Sequence, residues 1–296
     1  MELTEDNYNY DQKMKIIECP RDAMQGLAEF IPTERKIAYI NQLLEVGFDT
    51  IDFGSFVSPK AIPQMRDTGE VLQTLNWRTS KSKLLAIVAN TRGAETACEQ
   101  EGVHYLGFPL SISETFQQRN TNKSITEALN TVSEIQDLCV QSNKVLVCYI
   151  SMGFGNPYND PYDVKVVEQF VDILNTLGVQ VISLADTIGV STPENITYLF
   201  TRLTARFPSL ELGVHLHSTP QSALEKIQAA YQAGCKRFDG AIKGFGGCPM
   251  AKDDLVGNLA TETILGYLSS QNALPAINDE AFQKSLALAD EIFPKH

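Results

Sequence analysis

The sequence has few cysteines and no C-x-x-C pair, so it carries no sign of a disulfide framework or a structural zinc site. Its six cysteines stand singly, at positions 19, 98, 139, 148, 235 and 248. Such a scatter is typical of reduced thiols. Cys139 and Cys148 lie among apolar neighbours, and we expect them to be buried packing residues.

Long apolar runs and an excess of basic charge are also missing. No run approaches the roughly 20 apolar residues that span a bilayer, and residues 1–6 are acidic and polar, unlike a signal or transit peptide. The net charge of −12 argues against a nucleic-acid-binding surface, because phosphate contacts need clustered Lys and Arg. We expect a soluble, cytoplasmic protein with neither nucleic-acid nor membrane partners, although a local basic pocket can still bind a small anion.

Strand-like and helix-like segments alternate along the 296 residues. Short β-rich runs are separated by longer stretches of helical periodicity. The predicted strands are 15–19, 49–53, 84–89, 103–109, 144–150, 179–184, 211–215 and 236–239. The clearest predicted helices are 33–46, 124–141, 164–177 and 193–207. Eight strands alternating with helices predict parallel pairing and an α/β fold of the closed (β/α)8 TIM-barrel type.

The alternative fold is an open doubly wound sheet. No G-x-G-x-x-G follows the first predicted strand, and this argues against that alternative. We predict a flexible N-terminal arm over residues 1–14, a barrel over 15–269 and a C-terminal helical extension over 270–296.

Polar residues follow most of the predicted strands at the end where TIM barrels carry their active sites. A random scatter would favour both ends of the barrel equally. The residues at this end are Arg21, Asp22, Asp52, Ser113, Glu114, Tyr149, Asp186, Thr187, His215 and His217, with the loop 243–250 after the last strand. Their convergence on one rim indicates an active site.

Two of the four histidines, His215 and His217, occupy one predicted strand. Residues two apart on a strand share a face, so both imidazoles can reach one metal ion. The alternative is a pair of core histidines bonded to the backbone. Their shared register at a strand end, flanked by apolar Val214 and Leu216, favours metal ligation.

Other candidates have simpler interpretations beside the functional ones. Asp22 either caps the turn after the first strand or completes a metal site, and Arg21 taken alone would form a surface ion pair. The Gly-Phe-Gly-Gly-Cys-Pro loop at 244–249 is either a tight turn or a rigid mount for the thiol of Cys248. By spacing alone, Asn258 is best interpreted as the cap of the last barrel helix.

Several motifs resemble those of the 3-hydroxy-3-methylglutaryl-CoA (HMG-CoA) lyase family, which is related to the metal-dependent isopropylmalate synthases. The resemblance runs over residues 16–267, approximately. Its motifs are Pro-Arg-Asp at 20–22 with Gln25, Ser-Phe-Val-Ser-Pro-Lys at 55–60, Pro-Gln-Met at 63–65, Ser113-Glu114 with Phe116 and Asn120, Ser-Leu-Ala-Asp-Thr-Ile-Gly-Val at 183–190, His-Leu-His at 215–217, Gly-Gly-Cys-Pro at 246–249 and Gly-Asn-Leu-Ala-Thr-Glu at 257–262. The segments at 55–60 and 246–249 are specific to the lyase branch, whereas Arg-Asp and His-x-His are shared with the synthases.

The resemblance implies a divalent cation, Mg²⁺ or Mn²⁺, with two positions left for substrate oxygens. The implied ligands are Asp22, His215, His217 and Asn258. It also implies an acyl-CoA substrate and a homodimer. Gln25, Tyr149, Asp186 and Thr187 are expected to bind substrate.

The implied reaction cleaves the C2–C3 bond of HMG-CoA and yields acetoacetate and acetyl-CoA. The cation would bind the C3 hydroxyl and lower its pKa, and Asp22 or His215 would take the proton. Arg21 would offset charge on the departing enolate oxygen, and Cys248 would protonate the acetyl-CoA carbanion. Asp52 is expected to complete this catalytic set.

The chain departs from the family pattern at four positions. Asp52 stands where glutamate is usual, and Ser218 where an aspartate commonly follows the second histidine. Ala23 replaces glycine, and Phe245 replaces leucine. We interpret these changes as those of a divergent branch, and they leave open a different acyl group.

Two other hypotheses stay open. A citramalate- or isopropylmalate-type synthase would be expected to lack Cys248 and to carry a long regulatory C-terminal domain. A non-catalytic binding or scaffold barrel would have no need for the complete set Arg21, Asp22, His215, His217, Cys248 and Asn258.

Overall fold

The computed structural model describes residues 13–247 and 256–293. Within them, strands and helices alternate as the sequence pattern predicts. The strands are β1 (Lys15–Glu18), β2 (Thr50–Ser55), β3 (Lys83–Ile87), β4 (Val103–Ser111), β5 (Val145–Ser151), β6 (Val181–Asp186), β7 (Glu211–Ser218), β8 (Arg237–Gly240) and β9 (Gly257–Asn258). The helices are α1 (Pro20–Gln25), α2 (Thr33–Val46), α3 (Thr68–Thr74), α4 (Thr91–Cys98), α5 (Glu114–Thr121), α6 (Ile125–Gln141), α7 (Val164–Thr176), α8 (Pro193–Arg206), α9 (Ala223–Gln232), α10 (Thr261–Ser270) and α11 (Asp279–Ile292).

The sheet closes on itself. Strands β1 to β8 pair in parallel in chain order, and β1 pairs with both β2 and β8. The pairing of β6 with β7 joins the two halves of the circle. The predicted (β/α)8 TIM barrel is confirmed, and the predicted strand ends differ from the observed ones by only a few residues.

The main core lies between the barrel and its surrounding helices, because the parallel strands bury both faces. Its largest fully buried apolar side chains include Tyr39, Phe48, Phe108, Phe200 and Phe238. Burying side chains of this size stabilises the fold by roughly 1.5–3 kcal/mol each before entropy is counted. A smaller apolar cluster fills part of the barrel interior: Leu85, Ile87, Tyr105, Val147, Tyr149 and Val181.

The region predicted as a C-terminal extension contains α11, which packs along α2. Phe282 of α11 meets Phe48 edge to face, with ring centroids 6.3 Å apart. Phe293, directly after α11, stacks on Phe245 with ring centroids 4.5 Å apart. The end of α11 therefore supports the loop that follows β8. In the part of the chain that the structure describes, no helix is long and apolar enough to cross a membrane.

Candidate active site

A cavity of about 430 Å³ lies at the C-terminal ends of the strands. TIM barrels carry their chemistry at this end. Seven of the predicted site residues line it: Arg21, Asp22, Gln25, Tyr149, Thr187, His215 and His217. Gly247 lines it as well, and the next residue in the chain, Cys248, lies outside the described residues. The structure brings most of the predicted site together, and the role of Cys248 stays a prediction.

His217 has one ring nitrogen ready for a ligand. Its Nδ1 lies 3.1 Å from the carbonyl oxygen of Thr187. A carbonyl oxygen only accepts, so Nδ1 donates and Nε2 carries the lone pair. His217 Nε2 is buried and has no hydrogen-bond partner within residues 13–247 and 256–293. Leaving a buried acceptor unpaired costs about 1–3 kcal/mol, which a bound metal ion would remove.

His215 is oriented by a carboxylate in a similar way. Its Nδ1 lies 3.3 Å from Asp239 Oδ2, and its Nε2 lies 4.0 Å from Asp22 Oδ2. Metal-binding histidines commonly donate their other ring N–H to a carboxylate or a carbonyl, as both histidines do here. The ligand atoms of Asp22, His215 and His217 lie within 4.8 Å of one another. This geometry favours metal ligation over the alternative of two core histidines.

Asp22 lies in the first turn of α1, which begins at Pro20, a residue well suited to the first helical position. Its carboxylate accepts hydrogen bonds from three side chains. The donors are Arg21 Nη1 at 2.9 Å, Gln25 Nε2 at 3.1 Å and Asn258 Nδ2 at 2.8 Å. The side chain caps neither end of α1, so the interpretation of Asp22 as a turn cap is wrong.

The electrostatics of this group suit a cation. Burial by itself would raise the pKa of Asp22, but the charge of Arg21, with smaller contributions from the neighbouring imidazoles, holds it well below its ordinary value. Burial and the neighbouring His215 lower the pKa of His217, which favours its neutral form. Burial would lower the pKa of His215, but Asp239 and Asp22 raise it, so a bound cation would take the place of a proton at this ring. One carboxylate and two imidazoles thus surround one place, and this donor set fits a divalent metal ion.

A second set of possible ligands, Cys19 with His215 and Asp239, lies nearby. Cys19 is wholly buried, does not line the cavity, and its thiol donates to the Ile17 carbonyl oxygen at 3.7 Å. Burial raises the pKa of the Cys19 thiol well above its ordinary value, and thiols ligate metals as thiolates. The set containing Asp22 is therefore the better metal site.

Asn258 reaches the site from β9, which pairs antiparallel with β7 so that Asn258 lies opposite His217. Its Nδ2 donates to Asp22 Oδ2 and to the carbonyl oxygen of Phe245, both at 2.8 Å. It is not the cap of α10, because Ala260 holds that position without a side-chain bond. The cap interpretation is wrong, and ligation by its amide oxygen stays a prediction.

Arg21 and Asp52 form a buried, two-pronged ion pair. Arg21 Nη2 lies 2.6 Å and Nε 3.1 Å from Asp52 Oδ2, so the shorter carboxylate still reaches the guanidinium. Burial raises the pKa of Asp52 to about 6, although the charge of Arg21 opposes this shift. The surface ion pair considered for Arg21 is wrong, since only 7% of the residue is exposed. Asp52 does not line the cavity and acts on it through Arg21.

Tyr149 lies beside His215, and Thr187 lies beside His217. The Tyr149 ring lines the cavity and meets His215 edge to face, with ring centroids 5.8 Å apart, while its hydroxyl is buried. Thr187 Oγ1 accepts from the Met152 N–H at 2.9 Å. Both residues line the cavity, Tyr149 through its ring, and their contact with a substrate stays a prediction.

The predicted substrate contact of Asp186 is contradicted by its position. Asp186 is the last residue of β6, and it does not line the cavity, whereas its neighbours Ala185 and Thr187 do. The carboxylate accepts from Val190 N at 2.8 Å, from Ser191 N at 2.9 Å and from Lys226 Nζ at 3.1 Å. Asp186 is a structural anchor for the loop after β6.

Asp239 was missed by the sequence analysis, although it orients His215. The only hint in the sequence was that Asp239 is the last residue of a predicted strand, at the end of the barrel that carries the active site. Its partnership with His215 depends on the register of β7 against β8, where the two residues lie opposite each other.

The closed barrel, the cavity at its C-terminal rim and the Asp-His-His donor set define the class as a TIM-barrel enzyme with a site for a metal ion. The model of the HMGL-like family matches residues 13–289. The chain belongs to the HMGL-like family.

Curated and solved relatives agree with this assignment. The chain is 36% identical to a hydroxymethylglutaryl-CoA lyase of Bacillus subtilis, over 89% of this chain and 87% of the relative. It is 34% identical to a 3-hydroxy-3-isohexenylglutaryl-CoA/hydroxymethylglutaryl-CoA lyase of Pseudomonas aeruginosa, over 88% and 86%. An HMG-CoA lyase structure from Acinetobacter baumannii, in complex with coenzyme A and 3-methylmalate, superposes with a TM-score of 0.85 at 31% identity, covering 95% of this chain and 91% of that one.

Proposed function

We propose that this protein is a metal-dependent carbon–carbon lyase that cleaves HMG-CoA into acetoacetate and acetyl-CoA. The observation that carries the proposal is the buried lone pair of His217 Nε2, which stands beside His215 and Asp22 in the cavity of an HMGL-like barrel. Relatives at 36% and 34% identity bear lyase names. These relatives favour the lyase over the synthase and over a non-catalytic barrel.

The residues that would hold the ion are Asp22, His215 and His217, with Asn258 as the fourth ligand expected from the family resemblance. We favour Mg²⁺ or Mn²⁺, because a carboxylate and an amide oxygen are hard ligands. When bound, the ion would supply Lewis-acid polarisation of a substrate hydroxyl.

The protein's own groups account for the proton and the charge. Asp22, whose second carboxylate oxygen can still accept, would take the proton from the C3 hydroxyl, or His215 would do so if its Nε2 is not bound to the ion. The C2–C3 electron pair then passes to the leaving thioester enolate. Arg21 lines the cavity and is fixed by Asp52, so its guanidinium can stabilise the enolate oxygen without rearrangement. Cys248 would return a proton to C2, which gives acetyl-CoA.

The test is a direct assay of the purified protein with HMG-CoA and Mg²⁺ or Mn²⁺, with acetoacetate as the readout. We expect turnover that EDTA abolishes and added metal restores, and a large loss in a Cys248→Ser variant. Activity that ignores EDTA would contradict the metal site. In parallel, an assay with 3-hydroxy-3-isohexenylglutaryl-CoA tests whether a longer acyl group is accepted. An assay with acetyl-CoA and a 2-oxo acid tests for synthase activity.

Cytoplasmic location and a homodimer remain predictions, and light scattering can test the homodimer.

A further inference from the structure

A group of buried polar atoms lies inside the barrel next to the histidines. It comprises Tyr149 Oη, Ser183 Oγ, Arg237 Nε and Nη2, and Asp239 Oδ1, none of which has a hydrogen-bond partner among the described residues. Folded proteins pair nearly all of their buried polar groups, and bound water completes many of the remainder. Five such atoms in one part of the barrel indicate that a molecule is bound between them and forms the missing hydrogen bonds.

The strand register brings these side chains to one place. Tyr149 lies opposite Ser183, Ser183 opposite Gly213, and Gly213 opposite Arg237. Gly213 leaves the space that Arg237 needs, because a Cβ there would stand 2.7 Å from Arg237 Cδ. Burial raises the pKa of Tyr149; the charge of Asp239 raises it further and that of Arg237 lowers it, which agrees with their proximity.

Asp239 joins this group to the metal site. Its Oδ2 lies 3.3 Å from His215 Nδ1. Its Oδ1 lies 3.9 Å from Arg237 Nε, which is too long for a direct hydrogen bond and suits a bridging water. Asp239 Oδ1 only accepts and the Arg237 guanidinium only donates, so a molecule that both donates and accepts can satisfy the two.

The charges around this space favour a neutral molecule over an ion. Arg237 Nη1 lies 3.3 Å from Glu211 Oε1, and Lys15 Nζ lies 2.6 Å from Glu211 Oε2. Together with Asp239, these pairs set two cations against two carboxylates, so the directly paired charges cancel and a neutral molecule is favoured over an ion.

We propose that Arg237, Asp239, Tyr149 and Ser183 enclose an internal water site, and that Arg237 acts through it as a positioning residue for the metal ligand His215. The charge of Arg237 and the water hold the Asp239 carboxylate with Oδ2 toward His215. This keeps the His215 proton on Nδ1 and its lone pair on Nε2, toward Asp22. Without that charge, the Asp239 carboxylate would be free to turn away from His215. The inference rests on the metal ion of the proposed function.

The first test measures Mn²⁺ affinity, by the electron paramagnetic resonance signal of the free ion, in the wild type and in variants at Arg237. We expect Arg237→Met to weaken binding by about 10-fold or more, the range typical for lost outer-shell partners of metal ligands. Arg237→Lys, which keeps the charge, should recover most of the affinity. Arg202→Met, an exposed arginine on α8 paired with Glu168, is the matched control and should leave affinity unchanged.

Wild-type affinity in Arg237→Met, or an equal loss in Arg237→Lys, would overturn the positioning role. If the wild type itself bound no Mn²⁺, the metal site of the proposed function would fail instead. A high-resolution crystal structure of the wild type gives a second test, which does not depend on whether the variants fold. We expect ordered water within hydrogen-bond distance of Arg237 and Asp239, and a dry contact between these two side chains would overturn the water site.

Discussion

Arg21 holds Asp52 with two nitrogens of its guanidinium, Nη2 at 2.6 Å and Nε at 3.1 Å from the same carboxylate oxygen. Its third nitrogen, Nη1, donates to Asp22 at 2.9 Å. The guanidinium is therefore fixed between the second strand and the metal site, and it cannot swing out of the cavity without losing both carboxylates. A rigid cation of this kind suits the stabilisation of a developing negative charge.

Substituting Asp52 tests whether this rigidity matters for turnover. Asp52→Asn removes the charge that holds Arg21, and we expect kcat to fall by about 100-fold, as on losing a positioned donor. Asp52→Glu keeps the charge and should lose much less. Steady-state kinetics at saturating metal measure both variants. An Asp52→Asn variant with wild-type kcat would show that Arg21 needs no support from this carboxylate.

Glu18 predicts a pH dependence of stability. It is fully buried on β1 and accepts hydrogen bonds from the Ile242 N–H and the Thr261 hydroxyl. Burial raises the pKa of Glu18 from 4.5 to about 8. The folded state thus keeps a proton that the unfolded state loses, so its contribution to the free energy of unfolding falls as pH rises between 4.5 and about 8.

Glu18→Gln keeps the shape of the protonated acid and should remove up to about 1.4 kcal/mol per pH unit of that slope. Urea unfolding at several pH values in this window measures the effect. Glu280→Gln on α11 changes an exposed glutamate and serves as the control. Parallel pH profiles for wild type and Glu18→Gln would rule out the buried proton.

The end of α11 offers a test of how the loop after β8 is supported. Phe293 stacks on Phe245 with ring centroids 4.5 Å apart, and Lys243 pairs with Asp290. We expect Phe293→Ala to lower the free energy of unfolding by about 3–5 kcal/mol and also to lower kcat, because Phe245 begins the segment that leads to Cys248.

Phe282→Ala is the matched control. Phe282 lies within α11, but it packs on Phe48, away from this loop. It should lose similar stability while the folded enzyme keeps its kcat. Denaturant unfolding and kinetics well below the melting temperature separate the two effects. Equal kcat values for both variants would show that α11 contributes stability alone.

The sequence predicted the strands well because most of them are short apolar runs between helices of clear periodicity, such as α2 at Thr33–Val46. It also predicted that His215 and His217 would share a face, since strand alternation is a local property. Asp186 was misplaced because its position in the chain did not reveal on which side of β6 its carboxylate would lie.

The side-chain contacts between neighbouring strands of the active site could not be predicted from the sequence. The role of Asp239 depends on the register of β8 against β7, and Arg237 reaches the same network only because Gly213 leaves it space. A single sequence contains the residues of such a network but not the pairing that joins them. Asn258 was interpreted as a cap for the same reason, since its partner Asp22 lies at the other end of the chain.

Mn²⁺ binding to the metal-free protein tests the central claim most directly, with His217→Asn compared against His104→Asn. His104 lies on β4 beside Trp77, outside the cavity lining. We predict that the wild type and His104→Asn bind one Mn²⁺ with similar affinity, and that His217→Asn loses at least the roughly 10–100-fold seen when outer-shell partners are removed. Unchanged affinity in His217→Asn, or no binding by the wild type, would contradict the assignment of this rim as a metal-dependent active site.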